Sequence, residues 1–184
     1  MSELGQNLEL SKPTVNDMVK KFHQRGWVVY EKYKPIRLTE EGRKNAALVI
    51  RKHRLSEMFL SQVMGFGWEE VHDIAEELEH LKSENLFDRM DELLGFPALD
   101  PHGSPIPNKE GDIVKNDYKS LMEYSSGEKV ALKALRDSST DLLLFLNKKD
   151  LQLGTIIDIQ QIEPFDHSMT CLLYTSDAAD EEDS

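Results

Sequence analysis

Within residues 71–80, VHDIAEELEH, stand two imidazoles and two carboxylates, His72, Glu76, Glu79 and His80, and helical geometry sets all four along one stripe. Upstream, His53 and Glu57 repeat the four-residue step. Imidazole nitrogen and carboxylate oxygen without thiolate suit Mn, Fe, Co or Zn and disfavour softer ions. A lone His–Glu pair is more often a hydrogen-bonded surface pair. Glu69, Glu70, Asp73 and Glu77 need no role beyond a solvated helix face. Two histidines in register with two glutamates are less casual, and they predict a metal site, or two, built between helices.

Such ligands need rigid helices beneath them. Residues 40–64 read as one long helix with Ala46, Val49, Ile50, Leu55, Met58, Phe59 and Val63 as core contacts, ended by Gly65-Phe66-Gly67. Trp68 is expected to begin the next helix, over 68–82, whose Val71, Ile74, Leu78 and Leu81 form a second apolar stripe. Phe87, Met90, Leu93, Leu94 and Phe96 mark a third helix, ending before Pro97. These stripes carry more apolar surface than two short helices hide, which predicts a symmetric dimer. The loop PALDPHGSPIPNKEGD, rich in proline and polar groups, reads as a module boundary.

The net charge of −12 conceals a division. Residues 1–54 hold 12 Lys+Arg against 6 Asp+Glu, whereas residues 55–184 hold 10 against 28. A basic module joined to an acidic one follows, and only the first tolerates a phosphate backbone. In that module Ser11 is a good N-cap, Pro13 sits in the first turn, and Val15, Met18, Val19 and Phe22 form an apolar stripe ended by Gly26. The opposite face carries Lys12, Thr14, Asn16, Lys20, Lys21 and Gln24. Such a face suits a major groove, with Ser, Thr and Asn on base edges or phosphates and lysines on the backbone. WVVYEKYKPIRLT then gives two short strands around a basic tip, Lys32 to Lys34, and Thr39 caps the next helix. Recognition helix plus basic hairpin is the pattern of a winged helix-turn-helix. The alternative is a small helical-hairpin domain whose lysines are merely solvated. Only a remnant of a preceding helix is visible in SELGQNLEL, so the sequence is expected to begin inside its DNA-binding domain.

From Ser126 onward, short strand-type runs at 130–135 and 155–162 surround a helical LLLFLNKKDL, resembling the opening half of a small barrel. The ending CLLYTSDAADEEDS shifts composition abruptly and is expected to add nothing to the sheet. LLYTSDAADE looks like translated adaptor sequence, which would stop the native chain near Met169 or Thr170; a genuine acidic tail is the alternative. Cys171 is the only cysteine, leaving neither a disulfide scaffold nor thiolate zinc sites. With no signal-like start and no long apolar run, a cytoplasmic location and no membrane partner are expected. The chain has no HExxH, no glycine-rich phosphate loop and no nucleophile elbow, so no enzyme is expected, although a hydrolase or a metal-binding interaction module competes with DNA binding.

In this order, SKPTVNDMVKKF, GWVVYEKYKPIRLTEEG, RKHRLSEMFL, VHDIAEELEH and DPHGSPIP resemble the DtxR/MntR family of metal-dependent transcriptional repressors over residues 3–169. The resemblance implies a mainly α fold: a winged helix-turn-helix at 1–46, a helical metal-binding and dimerisation domain at 47–115, and a partial FeoA/SH3-like β domain at 126–169; the adaptor-like wording predicts a non-native tail at 170–184. The resemblance matches His53, Glu57 and His72 to an ancillary metal site and Glu76, Glu79 and His80 to a primary one. The family also draws a ligand from its first N-terminal helix, which is expected to lie before this sequence. Where iron-responsive members carry cysteine this chain has Glu76, an oxygen donor that favours Mn(II), with Fe(II) the alternative. It further implies a homodimer on a double-stranded DNA operator, controlling metal-uptake genes, with contacts from Ser11, Lys12, Thr14, Asn16, Lys20, Lys21, Lys32 and Lys34.

Overall fold

The computed structural model describes residues 2–31 and 34–174. The chain divides into two compact units, residues up to 51 with 107–113, and residues 52–106 with 114 onward.

The first unit opens with a short helix, α1 (Ser2–Asn7), and a longer one, α2 (Lys12–Gln24). Ser11 caps α2 by accepting the Thr14 N–H at 3.3 Å, as its residue type predicts. Val15 and Val19 on α2 and Val28 form the core, with Phe22, Tyr30 and Ile36 packed on it. Gly26, at φ +75°, supplies the left-handed turn after α2. An antiparallel hairpin follows, β1 (Val28–Val29) with β2 (Arg37–Leu38), in which Val28 opposes Leu38. Thr39 then donates its hydroxyl to Gly26 O at 2.6 Å and accepts the Gly42 N–H at 2.9 Å, capping α3 (Glu40–Gln62). Helix, hairpin and helix make the expected winged arrangement.

The predicted core face of α3 needs correction. Val49, Ile50 and Val63 are exposed, as is Ala46, while Ala47, Arg51, Leu55 and Met58 are buried. Those four recur at helical spacing, but one position is an arginine, so a search for apolar residues picks the neighbouring stripe. Arg51 is accommodated because its Nη1 donates to Pro107 O at 2.8 Å.

In the second unit, Leu55, Phe87 and Met90 form one core with Phe59, Leu86, Leu94 and Ile106, and Leu60, Val71 and Ala75 form another with Phe66, Ile74 and Leu78. Two helices follow α3: α4 (Val71–Glu79) and α5 (Glu84–Leu93). Trp68 does not begin α4. It lies in a turn closed by Glu70 N–H on Gly67 O at 3.0 Å and Gly67 N–H on the Glu70 carboxylate at 2.8 Å. Leu93 and Phe96, from the expected apolar stripe, are 72% and 66% exposed, leaving apolar surface on the single chain.

The remaining segment contributes β3 (Lys129–Ala131), α6 (Thr140–Asn147), β4 (Ile156–Ile162) and β5 (Met169–Tyr174), an antiparallel sheet in the order β3-β4-β5. Leu143 and Leu146 on α6 and Ile157 and Ile159 on β4 are buried. The expectation that CLLYTSDAADEEDS adds nothing to the sheet is corrected for residues 171–174. Ile157 pairs with Leu173 and Ile162 with Met169, because MTCLLY is itself a β-prone run that precedes the acidic stretch. Residues 175–184 of the predicted tail lie outside the described residues. No helix among the described residues is long and apolar enough to cross a membrane.

Candidate metal centre

Four of the six predicted ligands meet between α3 and α4. His53 and Glu57, one turn apart on α3, place Nε2 and Oε1 3.0 Å from each other. From the first turn of α4, His72 Nδ1 comes within 3.2 Å of His53 Nε2 and 3.4 Å of Glu57 Oε1. Glu79, two turns further along, accepts from His53 Nδ1 at 2.9 Å. An ionised carboxylate only accepts, so a proton on either His53 ring nitrogen is donated to Glu79 at Nδ1 or to Glu57 at Nε2. The Glu57 hydrogen bond raises the His53 pKa against the opposing pull of burial, and the charges of Glu57 and Glu79 add to it. Burial pushes the Glu57 carboxyl up, but the His53 hydrogen bond and charge, with His102 and His72, bring it below its ordinary value.

His53, Glu57 and His72 each offer one ligand atom, all within 4.8 Å of one another. Two imidazole nitrogens and a carboxylate oxygen fit a borderline-to-hard divalent cation. Glu76 and His80 are exposed and belong to neither candidate cluster among the described residues. Glu79, grouped with them by resemblance, lies against His53 Nδ1 in this geometry.

Sequence reasoning missed a second cluster. Glu57, Asp100 and His102 also bring one ligand atom each within 4.8 Å, and all three are buried. Glu57 joins the two sets: Oε1 faces His53 and His72, while Oε2 lies 3.8 Å from His102 Nδ1. Asp100 holds its own loop by accepting the His102 and Ser104 N–H groups, each at 2.9 Å, and faces Arg54 Nε at 3.3 Å. Burial raises the Asp100 pKa, the Ser104 N–H draws it back, and the Glu57 charge raises it further. Arg54 also donates to Pro105 O. The signal was in DPHG, an acid and an imidazole two residues apart in a turn sequence. Read as a boundary, that stretch is in its first half buried structure.

On α2, Lys12, Lys20 and Lys21 are exposed. Lys20 lies 3.8 Å from Asp17, an exposed and weak pair. Ser11 and Thr14, also exposed, share a hydroxyl–hydroxyl bond of 2.8 Å that belongs to the cap. Asn16 is half-buried and accepts from Tyr30 OH at 3.4 Å, so its amide is partly committed to the hairpin. Lys34 is exposed and paired with Glu31 at 2.6 Å, whereas Lys32 lies outside the described residues.

Residues 1–36 match the family model of the iron dependent repressor N-terminal DNA binding domain, and residues 39–108 match that of the iron dependent repressor metal binding and dimerisation domain. The iron-dependent repressor IdeR of Mycobacterium leprae is 39% identical over 138 residues, 71% of this chain and 60% of that protein. A solved manganese-dependent transcriptional repressor in complex with manganese superposes with a TM-score of 0.85 at 30% identity, covering 94% of this chain and 80% of that one. ScaR with bound Cd2+ does so with a TM-score of 0.77 at 32% identity, covering 93% and 84%. The chain spans about half the length of the curated relatives it matches. A winged helix-turn-helix followed by histidine–carboxylate clusters between helices, matched in that order by both family models, makes this chain a member of the metal-dependent transcriptional repressors that include iron- and manganese-responsive proteins.

Proposed function

We propose that the chain acts as a manganese-dependent, DNA-binding transcriptional repressor of metal-uptake genes, working as a homodimer on a double-stranded operator. Residues 1–46 read the DNA, residues 47–115 hold the metal and dimerise, and residues 126–169 form an accessory β domain. The observation that carries this reading is the convergence of His53 and Glu57 on α3 with His72 on α4. Glu57, Asp100 and His102 offer a second set of donors, and Glu76, Glu79 and His80 at the end of α4 a third.

A divalent cation held by His53, Glu57 and His72 would supply a concentrated positive charge between α3 and α4. The residues do the rest. Glu79 keeps His53 turned so that Nε2 faces Glu57 and His72, the outer-sphere orientation that metal-ligating histidines commonly require. Glu57, 3% exposed, lends one oxygen to each cluster. Carboxylates and imidazoles with no sulfur favour Mn(II) over softer ions. Fe(II) is the second reading, favoured by the two imidazoles of the His53 set. Lys12, Lys20, Lys21, Lys32 and Lys34 neutralise phosphates, while Ser11, Thr14 and Asn16 stand at the start of α2, where a recognition helix meets bases.

Selection from random-sequence duplexes under anaerobic conditions, with Mn(II), Fe(II) or chelator, tests the reading. Enrichment of an inverted repeat in Mn(II) alone is expected. Enrichment in Fe(II) alone moves the assignment to iron, and equal recovery with chelator rejects metal control.

A further inference from the structure

Trp68 joins two parts of the second unit that no spacing in the sequence connects. Its carbonyl oxygen lies 2.8 Å from His102 Nε2, and since a carbonyl only accepts, Nε2 carries the proton. With Nε2 on that carbonyl, His102 Nδ1 is turned to the side of Glu57 Oε2, 3.8 Å away. The opposite tautomer would set two lone pairs against each other at 2.8 Å. The Trp68 ring also stacks on the His102 imidazole, with centroids 6.1 Å apart and planes 23° apart. At its far edge, Nε1–H donates to Asn147 Oδ1 at 2.7 Å, on the last residue of α6.

The His102 backbone is clamped from the same segment. Leu135 N–H donates to His102 O at 2.9 Å. Gly103 has φ +86°, and a Cβ built there would lie 2.3 Å from Lys133 O, so loop and segment pack at backbone contact. With its main chain held by Asp100 and by 133–135, His102 keeps ring orientation as its remaining freedom, and Trp68 decides it.

We propose that Trp68 is a positioning residue for the Glu57/Asp100/His102 site: its indole, anchored by Asn147, fixes the carbonyl that holds His102 with Nδ1 toward Glu57, so metal binding there and docking of α6 strengthen each other. This rests on reading that cluster as a metal site. The coupling is reciprocal, since whatever α6 docking adds to metal affinity, metal adds to α6 docking.

The test uses the whole chain with 15N-labelled histidine and two readouts: the His102 tautomer by NMR without metal, and Mn(II) affinity by equilibrium dialysis. Asn147→Leu removes the indole's acceptor, Asn147→Asp keeps one, and Trp68→Phe removes the donor but keeps a ring. Asn147→Leu and Trp68→Phe are expected to mix the tautomers and weaken the Mn(II) binding that His102→Gln abolishes by about tenfold, the scale typical of outer-sphere ligand partners. Asn147→Asp is expected to hold both near the parent values, a rescue that a purely structural role would not require. A pure Nε2–H tautomer with unchanged affinity in Asn147→Leu and Trp68→Phe overturns the role of Trp68. Mn(II) uptake equal in the parent chain and His102→Gln overturns the metal reading of this cluster and the coupling with it, and the tautomer readout separates that failure from a failure of the anchor.

Discussion

Replacing Glu57 with glutamine keeps the shape of the most shared side chain in the centre and removes its charge. The carboxylate is 3% exposed and lies 3.0 Å from His53 Nε2, 3.4 Å from His72 Nδ1 and 3.8 Å from His102 Nδ1. Opposite charges 3.0 Å apart attract by about 5 kcal/mol at an effective dielectric of ~20. Desolvation of the buried carboxylate opposes this, and glutamine still offers His53 an acceptor. A net loss of about 2 kcal/mol follows for the metal-free chain, within the range for hydrogen bonds to charged groups. For a chain of this size that lowers the Tm by roughly 4–8 °C. The effect on metal is larger, because both clusters lose an anionic donor: Mn(II) affinity is expected to fall by more than ~100-fold, beyond the range for outer-sphere partners. Calorimetric titration with Mn(II) beside thermal unfolding in chelator separates the two effects. A folded Glu57→Gln chain that binds Mn(II) with the parent's stoichiometry and affinity would refute the placement of Glu57 at the hub.

Other expectations rest on separate observations. In chelator, the His53–Glu57 contact stabilises the fold between two limits: the raised His53 pKa means its contribution is complete below the ordinary value of 6.5 and is lost as pH rises through the folded value, while the lowered Glu57 pKa means its contribution is complete above 4.5 and is lost as pH falls through the folded value. Tm against pH should therefore decline on the alkaline side, and a decline left unchanged in His53→Gln would remove the assignment. Lys20→Ala and Lys21→Ala should each weaken binding to all duplexes alike and reduce the slope of log K against log salt by about 1; identical slopes would take α2 off the phosphates. Gly103→Ala meets both a positive φ and a Cβ position 2.3 Å from Lys133 O, so a loss of about 3 kcal/mol is expected in urea unfolding, and an unaltered midpoint would mean the loop does not pack there.

Much of the site was legible because its chemistry follows helical periodicity. His53 with Glu57, and His72 with Glu79, lie on faces that any α-helix of this sequence creates, so the residue types announced a metal centre before its partners were known. The capping by Ser11 and Thr39 and the turn at Gly26 were local for the same reason: each depends on atoms within a few residues. What failed was non-local. The buried face of α3 was misassigned because Arg51 occupies it, an arginine whose burial depends on a carbonyl 56 residues away. MTCLLY is β-prone by composition, but its place in the sheet comes from pairing with β4.

The order of modules, the basic character of the first and the ligand types were fixed by composition and spacing alone, since these need only chain connectivity and the pitch of a helix. Which ligands meet was decided by tertiary structure. Asp100 and His102 come from a turn whose place beside Glu57 depends on contacts across more than 30 residues, with Trp68 and with the segment 133–135. Glu79 faces His53 rather than Glu76 and His80 because α4 packs its Val71 and Ala75 side beside Leu60 of α3, and a rotation of one residue would have turned a different carboxylate inward.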